Sequence, residues 1–548
     1  MNSLWLLVIG IILFVIAYVS YGGYLAKKWG LDPKRETPSH TKYDNIDYVP
    51  TNSKVLLGHH FASIAGAGPI TGPILAAVFG WLPVYLWIVI GSIFVGGVHD
   101  WGSLLASVRH EGKSIGEIIR VNVGQRGKTL FNLFSWLTLI LVVAAFTDIT
   151  ASTFAFDFAK PEALAGAQAG TASVLFIGLA VLFGFAVYRK GAGLAVSTIV
   201  GVILLALCVW IGYAFPFMKL TKTAWIIVLL IYIALASVLP VWLLLQPRDY
   251  LSSFLLYAMI IGAVLGIIIM RPDIQIQATA GFAVGTGAAT KYLFPMLFVT
   301  VACGAISGFH SLVGSGTSSK QVDKEKDTKL IGYGGMLIEG IVAIIALIAV
   351  GYAAKVKGAP VVVFAAGIAD FMNSFGIPVE VGKVFVTLAF ASFALTSLDT
   401  ATRIGRYIFQ EFFDRGEEKK KSVLTNMYVA TIITVGASVA LILYGYNKIW
   451  PIFGSANQLL AALALLAISA WLAKSGRKIW MTIIPMIFMF CVTLTALGFL
   501  VKDYLFGAKP DVVLGLMAII LFILAVVLLV TTIKTLKGKK EVKKQVNA

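Results

Sequence analysis

Apolar residues run along this chain in blocks near the length of a membrane-crossing helix, about 20 residues, divided by short polar connections. The first block, Leu4 to Ala26, has no basic residue ahead of it and no small-residue cleavage pattern behind it; Lys27-Lys28 follows. It predicts a membrane helix rather than a signal peptide. Further blocks near 55–80, 82–108, 129–152, 169–187, 191–214, 224–245, 250–270, 292–316, 330–354, 382–402, 423–444, 450–473, 479–500 and 511–533 bring the expected spans to fifteen. The stretch 361–377 is apolar but short and holds Asp370, and reads as an interfacial or re-entrant helix. The fold class predicted is an all-α polytopic membrane protein.

Composition narrows the function. Apolar residues make up 59% of the 548 and charged residues 13%, against about 45–50% and about 25% in soluble domains. A soluble globular enzyme, a disordered chain and a disulfide scaffold are excluded. The three cysteines, Cys208, Cys303 and Cys491, all lie in apolar blocks, so no disulfide framework or cysteine zinc site is expected. The longest connection, 27–54, is too short for a catalytic domain. Gly112-Lys113-Ser114-Ile115-Gly116 fits a hydrolase pattern but sits between helices rather than at a strand-to-helix elbow. No enzyme is predicted.

The net charge of +18 would suggest nucleic acid in a soluble protein. Here the charge sorts by side. With spans alternating, 33 of the 44 Lys and Arg fall on one side and 11 on the other. The basic side is expected to be cytoplasmic, which puts the N-terminus outside and the Lys-rich C-terminus inside. Lipid is then the expected surroundings, and nucleic acid is not a partner.

The block 55–80 carries five Gly and Pro in eight residues, Gly66, Gly68, Pro69, Gly72 and Pro73. Proline removes a donor and clashes with the preceding turn, and glycine admits non-helical torsions. Free backbone at membrane depth is tolerated where it lines a cavity, so this block predicts a broken helix. The block 224–245 holds Pro240, with Pro247 just beyond; it is either a second broken helix or a simple proline kink. If both blocks open repeats, each repeat has five spans of opposite orientation, the arrangement of secondary transporters. The expected organisation is an N-terminal accessory helix and loop (1–54), a first repeat (55–214), a second (224–412), and C-terminal accessory helices with a basic tail (423–548).

Ionisable groups inside a bilayer are functional candidates by default. Asp148 lies near the outer end of its span and could carry a proton or contact an amine. Ser307, His310 and Ser311 fall one turn apart; two hydroxyls suit Na⁺, whereas a histidine suits H⁺. Glu339 sits among Gly334, Gly335 and Gly340, a close-packing face, and Asn457-Gln458 reads as interhelical glue in an accessory span. Asp399 can pair with Arg403 at i+4, as an ion pair or gate. His59, His60 and His99, the last beside Asp100, could relay protons or hold a metal or haem. A membrane redox protein built on that cluster is the rival class.

Five segments together, GHHFASIAGAGPITGP (58–73), HDWGSLLASVRHEGKSIGE (99–117), LPVWLLLQPRDYL (239–251), ISGFHSLVGSGTSSKQ (306–321) and FGSANQLLA (453–461), resemble the carbon starvation protein A family in order and spacing. The resemblance implies an inner-membrane transporter of the amino acid–polyamine–organocation superfamily, with a leucine-transporter-type core of two inverted five-helix repeats. It implies uptake of small peptides or pyruvate, with H⁺ as the coupling ion. It further implies substrate contacts at Ala65, Gly66, Ala67, Gly68 and Pro69, and at Ser237, Pro240 and Trp242. Ser307, His310 and Ser311 would fall where sodium-coupled relatives carry a small residue and two hydroxyls, and His310 there argues against Na⁺. The chain is shorter on its C-terminal side than the larger members.

Overall fold

The computed structural model describes residues 2–44, 47–160, 163–240, 242–285, 290–413, 422–507 and 510–546. Among them, twelve helices are long and apolar enough to cross a membrane; the bent pair Ser53–Ile64 and Gly68–Phe79, angled at 46°, makes a thirteenth. Two of the fifteen expected spans are shorter than foreseen. Residues 224–245 are helical only as part of Lys222–Val238, 17 residues, because Pro240 follows the helix end. Residues 423–444 open with a 3₁₀ turn, and Asn426 then caps Met427–Ile442, 16 residues, by accepting from the amides of Tyr428 and Val429. At 1.5 Å per residue, helices of that size fall short of a hydrocarbon core of about 30 Å. Residues 361–377 form the short helix Pro360–Asn373, with proline in its first turn. Of the basic connection 403–422, residues 414–421 lie outside the described residues.

Burial separates centre from periphery. The apolar window of Leu4–Trp29 is 28% buried and that of Val512–Lys534 is 33% buried, whereas that of Lys448–Lys474 is 94% buried. The helix containing Asn457 was expected to be accessory, yet it is the most enclosed of these spans. It packs on Gln125–Phe154 and Trp480–Phe506 and touches both halves of Leu293–Val301 and Gly308–Gly316. Trp81–Arg109 runs through without a break but widens into a π turn at Ser92–Gly96. That turn lies against the centre of the molecule, because a Cβ on Gly96 would stand 2.3 Å from the carbonyl oxygen of Ala305.

Candidate functional site

Ser53–Ile64 ends at Ala65, whose ψ of 61° leaves the helical region, and Gly66 donates its amide to Ile64 at 2.8 Å. A new helix starts at Gly68 with Pro69 in its first turn, where a missing N–H costs nothing. Ala65, Gly66, Ala67, Gly68 and Pro69 are all buried. Ser397 donates to the freed Ser63 carbonyl at 3.2 Å.

The break facing this one is in a different block from the one expected. Leu293–Val301 stops at Ala302, which has a positive φ of 40°, and the helix resumes at Gly308–Gly316 after the extended Ser307. The two broken helices cross in backbone contact. A Cβ on Gly72 would lie 2.3 Å from the Val301 carbonyl oxygen, and one on Gly68 would lie 2.5 Å from Cys303 Sγ. Only glycine permits that approach. Asn457 and Gln458 satisfy polar groups freed by the second break: Asn457 Oδ1 accepts from Phe309 N at 2.9 Å, and Gln458 Nε2 donates to Phe298 O at 2.5 Å.

The block 224–245, which reads as a second broken helix or a proline kink, supplies no such crossing. Ser237 bonds the Thr431 hydroxyl at 3.3 Å, Pro240 ends its helix, and Trp242 stacks with Arg189 at 5.7 Å. The physical reason is position. The chain turns back into Leu245–Met270 at once, so the prolines mark a helix end and not a mid-span gap.

Just beyond the second break sits a buried chain of ionisable groups. His310 Nδ1 is 2.8 Å from Asp100 Oδ2, and His99 Nδ1 is 2.7 Å from Asp100 Oδ1. On its other side His310 Nε2 is 3.5 Å from Glu339 Oε2. Neither carboxyl oxygen of Glu339 has a hydrogen bond within the described residues. Glu339 thus faces an ionisable partner, beyond the packing role expected for it. Ser307 takes a hydrogen bond from Asn457 Nδ2 at 3.0 Å, and Ser311 bonds back to the Gly308 carbonyl at 2.7 Å. The two hydroxyls are therefore engaged with the protein and His310 with its acids.

A second buried set lies near the basic face. Asp399 does not pair with Arg403, the i+4 partner expected for it. It bonds Arg248 and the Tyr232 hydroxyl, the latter at 2.8 Å, while Arg248 also reaches Asp249 at 3.0 Å. Arg403 turns to the end of Lys222–Val238, donating to the carbonyls of Ala236, at 3.0 Å, and Leu239. Helix-end carbonyls without intrahelical partners compete well for a guanidinium. At the opposite end of its helix, the buried Asp148 meets Lys222 at 2.7 Å.

A cavity of about 450 Å³ reaches inward from the basic face. His59, Ser63, Trp242, Asp249, Lys320 and Arg403 are among its lining residues. Ser63 connects it to the first break. The histidines expected to share a metal are dispersed to separate partners: His60 to Ser318 at 2.7 Å, His99 to Asp100, and His59 to the neighbourhood of Asp249 at 3.5 Å. Among the described residues no three His, Cys, Asp or Glu side chains converge in a metal-holding arrangement. The metal or haem reading of His59, His60 and His99 is dropped on that geometry.

Comparison with known proteins agrees with the sequence resemblance. The profile of the family described as carbon starvation protein CstA matches residues 2–357 and 351–496. The peptide transporter CstA of Escherichia coli (strain K12) is 34% identical, over 94% of this chain and 83% of its own. The pyruvate/proton symporter BtsT of the same organism is 33% identical, over 93% and 82%. The peptide transporter CstA of Bacillus subtilis (strain 168) is 32% identical, over 97% of both chains. A remote likeness in shape extends to a manganese transporter of Eremococcus coleocola, at a TM-score of 0.43 and 13% identity over 91% of this chain and 99% of that one. Matched over most of its length by the family profile and by these relatives, the chain belongs to the carbon starvation protein CstA family.

Proposed function

We propose that this chain is a secondary active transporter that imports a small peptide or pyruvate together with protons by alternating access. The observation that carries the reading is the crossing of two broken helices, at Gly72 and Val301, beside the buried His310–Asp100–Glu339 chain. The names of the relatives supply the two substrate classes. The face that carries the basic connections 27–54, 109–128 and 474–478 is taken as cytoplasmic, so the cavity, lined there by Asp47, faces inward.

The chemistry follows from the parts. In the first turn of Gly68–Ala76 the amides of Gly68 and Ile70 precede the first intrahelical acceptor, Pro69 having no N–H, and the helix dipole adds partial positive charge there. That end suits the carboxylate common to pyruvate and a peptide. His310 is the proposed proton carrier. Asp100 orients it and compensates its charge, and Glu339 offers a further site for the same proton. The Asp148–Lys222 pair lies at the outer end, where it can hold the outer path closed. The halves of the transporter are then opened by the breaks near 65 and 302, and the helix around Asn457 belongs to the core.

Purified protein in liposomes tests the reading. Labelled pyruvate or a labelled dipeptide should accumulate under an inward proton gradient and not without one. Accumulation of neither would contradict it.

A further inference from the structure

Among the described residues Arg403 makes no ion pair, although it stands in the wall of the cavity. Its residue is 5% exposed, and it lies within helix Val379–Phe413. Among the described residues no acid comes within 4.0 Å of its guanidinium, and its buried Nε has no hydrogen-bond partner. The acids nearby make their ion pairs elsewhere, and Asp399 does so through Oδ2 alone. Asp399 and Asp249 are held by Arg248, and Asp47, also on the cavity wall, faces Lys320 at 3.9 Å. The two carbonyls that grip Nη2 fix the guanidinium in place without neutralising it. Thr400, one turn earlier on the same helix, adds a hydroxyl to the same wall.

A buried charge left unpaired is costly, and intramembrane ionisable groups are retained for what they bind or move. An anion in the cavity would give Arg403 the direct ion pair it lacks among the described residues. The planar guanidinium also matches the two oxygens of a carboxylate, a geometry that a lysine ammonium does not supply. We infer that Arg403 receives the carboxylate of the transported molecule while the cavity is open to the basic face, which makes it a binding residue distinct from the first break. This rests on the transport reading and names the group that holds the cargo before release.

Equilibrium binding to purified protein separates the two ideas. Labelled pyruvate and a labelled dipeptide are the probes, each competed with its unlabelled acid and its uncharged methyl ester. Wild type should bind one probe, and the ester should compete more weakly than the acid by about tenfold or more, the worth of a charge-assisted hydrogen bond. Arg403→Gln should weaken that discrimination severalfold, and Arg403→Lys should recover only part of it. Equal competition by acid and ester in wild type overturns the inference while leaving transport intact, and it does so even if the variants fail to fold. Discrimination undiminished in a folded Arg403→Gln protein also overturns it. Wild type that binds neither probe contradicts both the inference and the transport reading.

Discussion

His310 Nδ1 and Asp100 Oδ2 stand 2.8 Å apart with both side chains shut off from solvent, and they come from positions 210 residues apart in the chain. A histidine held this way has one nitrogen committed to its acid and the other turned to Glu339. Changing Asp100 to Asn removes the charge and keeps the shape. Asp100→Asn should reduce gradient-driven accumulation by about tenfold or more, the scale of one displaced charge-assisted bond, while substrate exchange at equal pH on both sides persists. Paired uptake and counterflow assays check this. Equal loss of both would assign Asp100 a purely structural role.

The crossing at Gly72 gives a stability prediction. A methyl group there meets the Val301 carbonyl at 2.3 Å, and backbone on both sides leaves little room to relax. Gly72→Ala should cost about 1–3 kcal/mol, the usual penalty of overpacking. Gly436→Ala is the control, since nothing lies within 4 Å of its added Cβ; it should leave Tm unchanged or raise it. Thermal unfolding in detergent compares the two.

The first break was legible because five Gly and Pro crowd into eight residues. The second was not. Residues 302–307 contain one glycine and no proline, and the chain leaves the helix through a positive φ at an alanine, which has no signature in a hydropathy pattern. The hydroxyls around His310 read as an ion site and the Asn457-Gln458 pair as interhelical glue, and neither pattern alone marks a break in the helix. Pro240 left two readings open, a break or a kink, because proline interrupts a span in either way; here it follows a helix end. The Asp399–Arg403 pairing was plausible locally, but the actual partner, Arg248, lies 151 residues away and cannot be found by spacing.

That exchange of partners is itself measurable. Asp399→Ala leaves a buried arginine short of one acid and should cost about 3–5 kcal/mol. In double-mutant cycles Asp399 should couple strongly to Arg248 and weakly to Arg403. The reverse order would restore the local pair.

The connection 110–124 carries a pH-sensitive contact outside the membrane. Burial opposes ionisation of Glu117, but hydrogen bonds from Lys128 and from Arg120, the latter at 2.6 Å, outweigh it and hold the carboxyl below its usual range. A lowered folded value means that the contact stabilises above the ordinary glutamate pKa, about 4.3, and is lost as pH falls through the folded value. Lys128→Gln should therefore lower Tm at pH 7 and lose less Tm than wild type on going to pH 4. A parallel fall in both proteins would place the acid sensitivity elsewhere.

Proton movement coupled to substrate is the central claim, and it can be watched directly. Liposomes holding a pH-sensitive dye, with no initial gradient, receive a pulse of pyruvate or dipeptide. Wild type should acidify the lumen as substrate enters, and His310→Gln should exchange substrate without acidification. Acidification that survives undiminished in His310→Gln, or substrate entry into wild-type liposomes with no pH change, would contradict the account.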